Sequence, residues 1–247
     1  MYIRKLPIKI PQTSPEKDWI IDTNDFYRKV SSKIEFDKVK HSYTLPDGEV
    51  ITSSVSSLNG ISSLYYENFK SKIPNAEKIL EKAITRGNII HDFVEKFLIH
   101  NFTADLVSPD SYWYNQDYVE RASQATIKTI TTLRDFLPRF MGKRVLKFME
   151  RRVLIATECI LTSQTIRGLV GTFDLLIFNY ETNCLELIDI KGSKHRGQNK
   201  CDTDLMYGLQ LNAYEHLIRE NFDIPPMAIN KYILFTGGAQ PLFWKLF

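Results

Sequence analysis

A mixed α/β (α+β) domain is predicted by three features of the 247-residue chain. Two apolar runs, 168–178 and 184–190, flank a polar Asn-Tyr-Glu-Thr-Asn break, the pattern of two β-strands joined by a short hairpin. Three long stretches, 76–99, 117–140 and 204–221, carry apolar residues at helical spacing. The length favours one large domain, and 43% hydrophobic with 25% charged residues is an ordinary globular composition, enough for a substantial core.

Taken in order, residues 1–30 read as an extended, Pro-punctuated lead-in packing on the body. Segments 33–45 and 49–55 around Pro46-Asp47-Gly48 predict a β-hairpin. Residues 56–70 mix turn residues with Tyr65, Tyr66 and Phe69, rings that serve either base stacking or burial. Pro74-Asn75 opens the helix 76–99, whose Ile79, Ala83, Ile90, Phe93, Val94, Phe97 and Leu98 supply its apolar side. A loop, 101–113, leads to the second helix, 117–140, with Val119, Ala122, Ala125, Ile127, Ile130, Leu133 and Phe136 as its apolar face and Pro138 marking its end. Residues 145–160 turn from a basic patch into a third strand candidate. After the strand pair and a basic loop, 192–202, comes the helix 204–221, with Leu205, Leu209, Ala213, Leu217 and Ile218 as the expected buried face. Residues 231–236 form a further strand, and apolar residues 244–247 pack down at the end.

The strand pair carries carboxylates where buried strands do not want them. Asp174 lies among Phe173, Leu175, Leu176 and Ile177, and Asp189 lies between Ile188 and Ile190, two residues before Lys191. Alternation puts Asp189 and Lys191 on one sheet face, and antiparallel neighbours can bring Asp174 beside them. Like charges there repel and desolvation adds several kcal/mol, which a divalent cation would compensate. Mg²⁺ characteristically takes one or two carboxylates. On the first helix, Arg86-Gly87 is followed by His91 and Glu95 at steps of four, one stripe of the helix. Imidazole is a metal ligand, and Glu95 either orients it or sits nearer the metal. Gln210 and Tyr214 point together from the last helix. Glu150 and Glu158 can each join a metal site or face solvent, and period-2 placement does not choose between them.

Net charge is only +3, but residues 139–152 hold six basic side chains against one acid and 191–200 hold four against none. Such patches suit either a polyphosphate backbone or a solvated face. Cys159, Cys184 and Cys201 are odd in number and without C-x-x-C spacing, which favours a reducing compartment over a disulfide framework or zinc cluster. No apolar run reaches the roughly 20 residues of a transmembrane helix, so no membrane role is expected. The basic start is interrupted by prolines and followed by acids, which argues against a secretory signal and leaves mitochondrial targeting open.

G-x-x-x-H-x-x-x-E on a helix, G-x-x-D and D-x-K on strands and Q-x-x-x-Y on a helix, in that order over residues 86–214, resemble the PD-(D/E)XK nuclease superfamily. Within it, the RecB-like exonuclease branch is the one resembled, which includes phage and mitochondrial genome maintenance exonucleases. The resemblance implies a central mixed β-sheet flanked by helices: a restriction-endonuclease-like core, 145–247, preceded by an N-terminal lead-in and hairpin, 1–75, and an arch-like helical region, 76–140, all in one domain. It assigns Asp174, Asp189, His91 and the Ile190 carbonyl to Mg²⁺ or Mn²⁺, and Lys191 to the attacking water. Gln210 and Tyr214 support the lysine and touch nucleic acid, with Glu95, Arg86, Lys194 and Arg196 as further substrate-binding or supporting residues. No iron–sulfur cluster is implied, since the cluster-bearing relatives use four cysteines placed elsewhere. The implied activity is metal-dependent hydrolysis of DNA from ends or on single strands, in recombination, repair or genome processing. A structure-specific or restriction-type endonuclease and a catalytically inactive nucleic-acid-binding protein are the alternatives. The implied partners are DNA, as single strands or duplex ends, and a recombination or replication protein. The implied location is the cytoplasm of a bacterium or phage-infected host, with mitochondrion or nucleus as alternatives.

Overall fold

The computed structural model describes residues 5–8, 10, 33–37, 42–52, 54–55, 71–99, 122–142, 151–194 and 201–246. Its centre is a five-stranded mixed sheet of order β10-β9-β7-β6-β5, formed by β5 (Arg152–Thr162), β6 (Val170–Asn179), β7 (Cys184–Lys191), β9 (Ile229–Phe235) and β10 (Leu242–Leu246). The predicted hairpin is there: β6 and β7 pair antiparallel through a turn in which Asn179 Oδ1 accepts from the N–H groups of Glu181 and Thr182, and Asn183 takes a left-handed φ of 49°. β7 and β9 pair in parallel. A parallel pair needs a crossover, and the helix Cys201–Asn221 supplies it.

The helices α1 (Ala76–Ile99), α2 (Gln124–Met141) and α3 (Cys201–Asn221) make the outer layers. Ile90, Phe93, Val94, Phe97 and Leu98 of α1 and Leu133, Leu137 and Met141 of α2 join Leu154, Leu175, Ile177, Ile188 and Ile190 of the sheet in one core. On the opposite face Leu211, Tyr214, Leu217 and Ile218 of α3 pack with Phe173, Leu176, Phe178, Leu185 and Leu187. Alternation along β6 and β7 is what splits the two cores, as a strand buried on both faces requires.

Several expectations are corrected. The arm 33–45 is not one strand: β2 (Glu35–Asp37) and β3 (Ser42–Thr44) are antiparallel to each other, and β4 (Val50–Ile51) completes a three-stranded sheet. The second helix starts at Gln124, because Ser123 Oγ accepts from the Thr126 N–H as an N-cap. Pro138 sits inside its last turn, and the helix stops at Gly142, whose φ of 87° suits a left-handed cap. Its buried stripe is Thr126, Thr129, Leu133, Leu137 and Met141, with Ala125 exposed. On α1, Ile79 is exposed. On α3 the buried stripe is Gln210, Leu211, Tyr214, Leu217 and Ile218, while Leu205 and Leu209 are exposed. The final apolar residues do not merely pack down but form the edge strand β10 against β9. Tyr65, Tyr66, Phe69 and the loop 101–113 lie outside the described residues.

Near the start of the chain, β1 (Leu6–Pro7) pairs in parallel with β8 (Phe222–Asp223), just after α3. Ile8 and Ile10 pack on the α3-side core. The small sheet joins the large one through Tyr43 Oη, 3.2 Å from Thr172 Oγ1, and a Ser54–Val170 bridge. Among the described residues no helix is long and apolar enough to cross a membrane.

Candidate active site

Cα pairing between β6 and β7 runs from Asn179↔Cys184 to Leu175↔Ile188. Beyond it, a side chain takes the place of the backbone partner: the Ile190 N–H donates to Asp174 Oδ2 at 2.6 Å. Asp174 is thereby fixed beside the Asp189-Ile190-Lys191 tripeptide. Its own carbonyl accepts from Thr157 Oγ1 at 2.8 Å.

Asp189 and Lys191 share the α3 face, as alternation dictates. Lys191 Nζ lies 2.7 Å from Asp189 Oδ2. The contact is a charge pair without hydrogen-bond geometry, since the buried Oδ2 has no hydrogen-bond partner among the described residues. Lys191 Nζ instead donates to Gln210 Oε1 at 3.3 Å. The Gln210 amide nitrogen donates to Asp189 Oδ1 at 3.1 Å and to Tyr214 Oη at 3.2 Å. One buried amide thus fixes the carboxylate, the ammonium and the phenol together. The room for Tyr214 comes from Gly171, where a Cβ would stand 2.7 Å from Tyr214 Cε1 and 2.7 Å from Val55 Cγ2. Gly171 is the glycine of the G-x-x-D motif, and here close packing is what requires it.

From α1, His91 reaches the other side of the cluster. Its Nε2 is 3.2 Å from the Ile190 carbonyl oxygen. Its Nδ1 is 3.2 Å from Glu158 Oε1 and 3.6 Å from Asp174 Oδ1. Ile190 therefore serves both neighbours, donating to Asp174 and facing His91 with its carbonyl. Glu158 resolves the choice that the sequence left open. The register Thr157↔Leu175 and Cys159↔Phe173 sets it opposite Asp174, and its left-handed φ of 47° departs from regular strand geometry at that point. Nothing in the spacing of the sequence announces this; only the β5–β6 register does. Glu150 lies outside the described residues.

The electrostatics are those of an anion cage. Burial, with Glu158 adding to it, raises the Asp174 carboxyl against the pull of His91. Burial and the neighbouring Asp174 raise Asp189 to about 6 despite Lys191. Burial alone would lower His91, yet Asp174, Glu158 and Asp189 outweigh it and lift the imidazole to about 9. Likewise Asp189 and Asp174 outweigh burial and raise Lys191. Once His91 gives up its proton to act as a ligand, three carboxylates against one ammonium leave two negative charges to be met, which is the charge of one divalent cation.

The donor set fits such an ion. One donor atom each from His91, Glu158 and Asp174 lies within 4.8 Å of the others, an arrangement able to hold a metal. Asp189 turns away from that group, with Oδ2 2.7 Å from the Lys191 ammonium and Oδ1 accepting from the Gln210 amide. Carboxylate oxygens and a peptide carbonyl are the ligands hard cations prefer. A cation and the His91 proton compete for the same carboxylates.

The remaining sequence candidates fall around this centre. Arg86 donates through Nη2 to Thr129 Oγ1 at 3.1 Å, tying α1 to α2. Glu95 is half-buried one turn beyond His91, Lys194 is exposed just after the site, and Arg196 lies outside the described residues. Within the basic patch 139–152, Arg152 does not face solvent: it forks onto Glu186, so its charge is spent inside the fold.

The PD-(D/E)XK nuclease superfamily model matches residues 62–240, which span Asp174, the Asp189-Ile190-Lys191 tripeptide and the helices that flank them. No curated protein matches the chain.

Proposed function

Because the chain belongs to the PD-(D/E)XK nuclease superfamily, we propose that it is a metal-dependent DNA exonuclease of the RecB-like kind, acting from ends or on single strands in recombination, repair or genome processing. Membership implies a nuclease using divalent metal ions. The observation supporting a competent site is the hub in which Gln210 ties Asp189, Lys191 and Tyr214 together beside the His91, Glu158 and Asp174 donor group. The finer reading rests on the G-x-x-x-H-x-x-x-E and Q-x-x-x-Y motifs, carried by α1 and α3.

Asp174, Glu158, His91, the Ile190 carbonyl and Asp189 would hold Mg²⁺ or Mn²⁺, which supplies Lewis acidity at the phosphoryl oxygen and toward water. Lys191, kept cationic by Asp189 and Asp174, orients the attacking water and neutralises charge developing on the phosphate. Gln210 holds that ammonium in place while fixing Asp189. Tyr214, pushed well above its ordinary range by burial and the two aspartates, keeps its proton. The buried Cys159 and Cys184 are free thiols, consistent with the cytoplasmic setting we propose.

The test is degradation of end-labelled linear and closed circular DNA with Mg²⁺, Mn²⁺ or EDTA. Metal-dependent loss of linear DNA that spares circles and disappears in Asp189→Ala is expected. Cutting of circles would make the protein an endonuclease, and binding without cleavage in any metal would sink the catalytic reading.

A further inference from the structure

A cleft of about 1170 Å³ runs beside the site, between the Glu81–Ile89 part of α1, the start of α2 and the segment Lys191-Gly192-Ser193. Two of its lining residues, Gly87 and Gly192, carry no side chain, and no contact among the described residues requires glycine at either. Neither has a left-handed φ, and a Cβ at either position would meet no described atom within 4 Å. Gly171 and Gly237 are the contrast, since a Cβ there would collide with neighbours at 2.7 Å and 2.5 Å. Gly87 moreover lies within the 24-residue helix α1, where glycine is less favourable than alanine. Two bare positions at one cleft leave a smooth passage past Lys191. Among the described residues, Lys82, Arg86 and Lys191 line that passage against a single acid, Glu81. Arg86 is anchored by Thr129 while its buried Nε has no hydrogen-bond partner among the described residues.

We propose that the sugar–phosphate backbone of the DNA strand lies in this cleft, passing over Gly87 and Gly192, with Lys82 and Arg86 neutralising phosphates next to the one cleaved at Lys191. The assignment rests on the nuclease reading and adds the path of the strand. It explains why an unfavourable residue stands in a long helix at a point where no described atom packs: close approach of a ligand backbone forbids a side chain.

The test is binding of a fluorescent single-stranded oligonucleotide in EDTA, with thermal melting of each variant alongside. Gly87→Ala is expected to raise the melting temperature by about 2–4 °C, because helix propensity improves and no clash results. Gly87→Val and Gly192→Val are expected to weaken binding on the order of tenfold without loss of the folded transition, and Gly87→Ala by less, a graded steric response. Lys82→Ala should flatten the dependence of log affinity on log salt by about 0.7, the loss of one single-strand phosphate contact. Val variants that melt normally and bind as tightly as wild type would overturn the assignment while leaving the nuclease reading intact. A wild-type protein that neither binds nor cleaves DNA would remove both.

Discussion

Strand β7 carries two buried carboxylates three residues apart, Glu186 at 1% exposure and Asp189 at 2%, and the fold treats them oppositely. Glu186 is satisfied from within. Arg152 donates to it through Nε at 2.7 Å and Nη2 at 3.3 Å, and Asn179 Nδ2 donates at 2.7 Å. The guanidinium is itself completed by the Phe140 carbonyl and lies 4.5 Å over the Phe140 ring. Asp189 is paired with the Lys191 ammonium at 2.7 Å, yet it stands beside a second buried carboxylate, Asp174, and burial with that neighbour raises it to about 6. A buried charge that the chain neutralises itself is structural. A group of carboxylates that carries more negative charge than its one ammonium offsets marks where something outside the chain belongs.

The sharpest test exchanges the charge at each position. Asp189→Asn should lower cleavage by about 10³-fold or more, since the residue faces the reacting charge. Its melting temperature in EDTA should change by only about 2 °C, because relief of repulsion with Asp174 offsets the lost pairing with Lys191. Glu186→Gln should do the reverse. It strands Arg152 and costs about 3 kcal/mol or more, a melting shift of roughly 6–12 °C, while each molecule still folded at low temperature cleaves normally. If Asp189→Asn proved the unstable variant and Glu186→Gln the inactive one, the distinction would collapse.

The second test is pH. Asp189 binds its proton more tightly in the fold than in the unfolded chain, so its contribution is present below the ordinary carboxylate range and lost as pH rises through about 6. His91, raised to about 9, contributes stability present below its ordinary value and lost as pH rises through about 9. Glu215 and Glu220, held low by Lys231 and Arg219 and by Thr165 and Ser163 despite burial, lose their contributions only at acid pH. Between about pH 5 and 9 the metal-free protein should therefore lose on the order of 4 kcal/mol, and saturating Mg²⁺ should flatten that slope. Melting scans at fixed ionic strength with EDTA or Mg²⁺ read it directly; a slope that Mg²⁺ leaves unchanged would count against a cation at this cage.

The same contrast explains what the sequence made legible. The β6–β7 hairpin and α1 were readable because alternation and helical spacing there are uninterrupted, and Asp174, Asp189 and Lys191 stood out as charges inside apolar runs. Glu158 and Glu186 did not. Their roles depend on register across strands, which no local spacing encodes. The buried faces of α2 and α3 were only partly legible for a related reason: Leu133, Leu217 and Ile218 are buried as expected, while Ala125, Leu205 and Leu209 are exposed. On α2, buried Thr129 satisfies its hydroxyl by donating to the Ala125 carbonyl and accepting from Arg86, so a polar residue sits inside at little cost. On α3, apolar residues occur on both sides, and the sheet, with Gln210 drawn in by Asp189 and Lys191, decides which side is buried.

Gln210 gives the finest test of the comparison, because it is to Asp189 what Asn179 is to Glu186: an amide on a buried carboxylate. If both amides were only structural, removing either would lower stability and leave cleavage alone. Gln210, however, also receives the Lys191 ammonium and donates to Tyr214, so its loss frees an ammonium and a phenol at the site to move. Gln210→Ala is expected to lower kcat by about 10–100-fold with little change in KM, the usual effect of removing a group that orients catalytic side chains. Asn179→Ala should leave kcat within about twofold and lower the melting temperature, because it removes a hydrogen bond to a charged group far from the reacting atoms. Equal effects of the two substitutions on kcat would mean that the amide at Asp189 is no more tuned to chemistry than the one at Glu186.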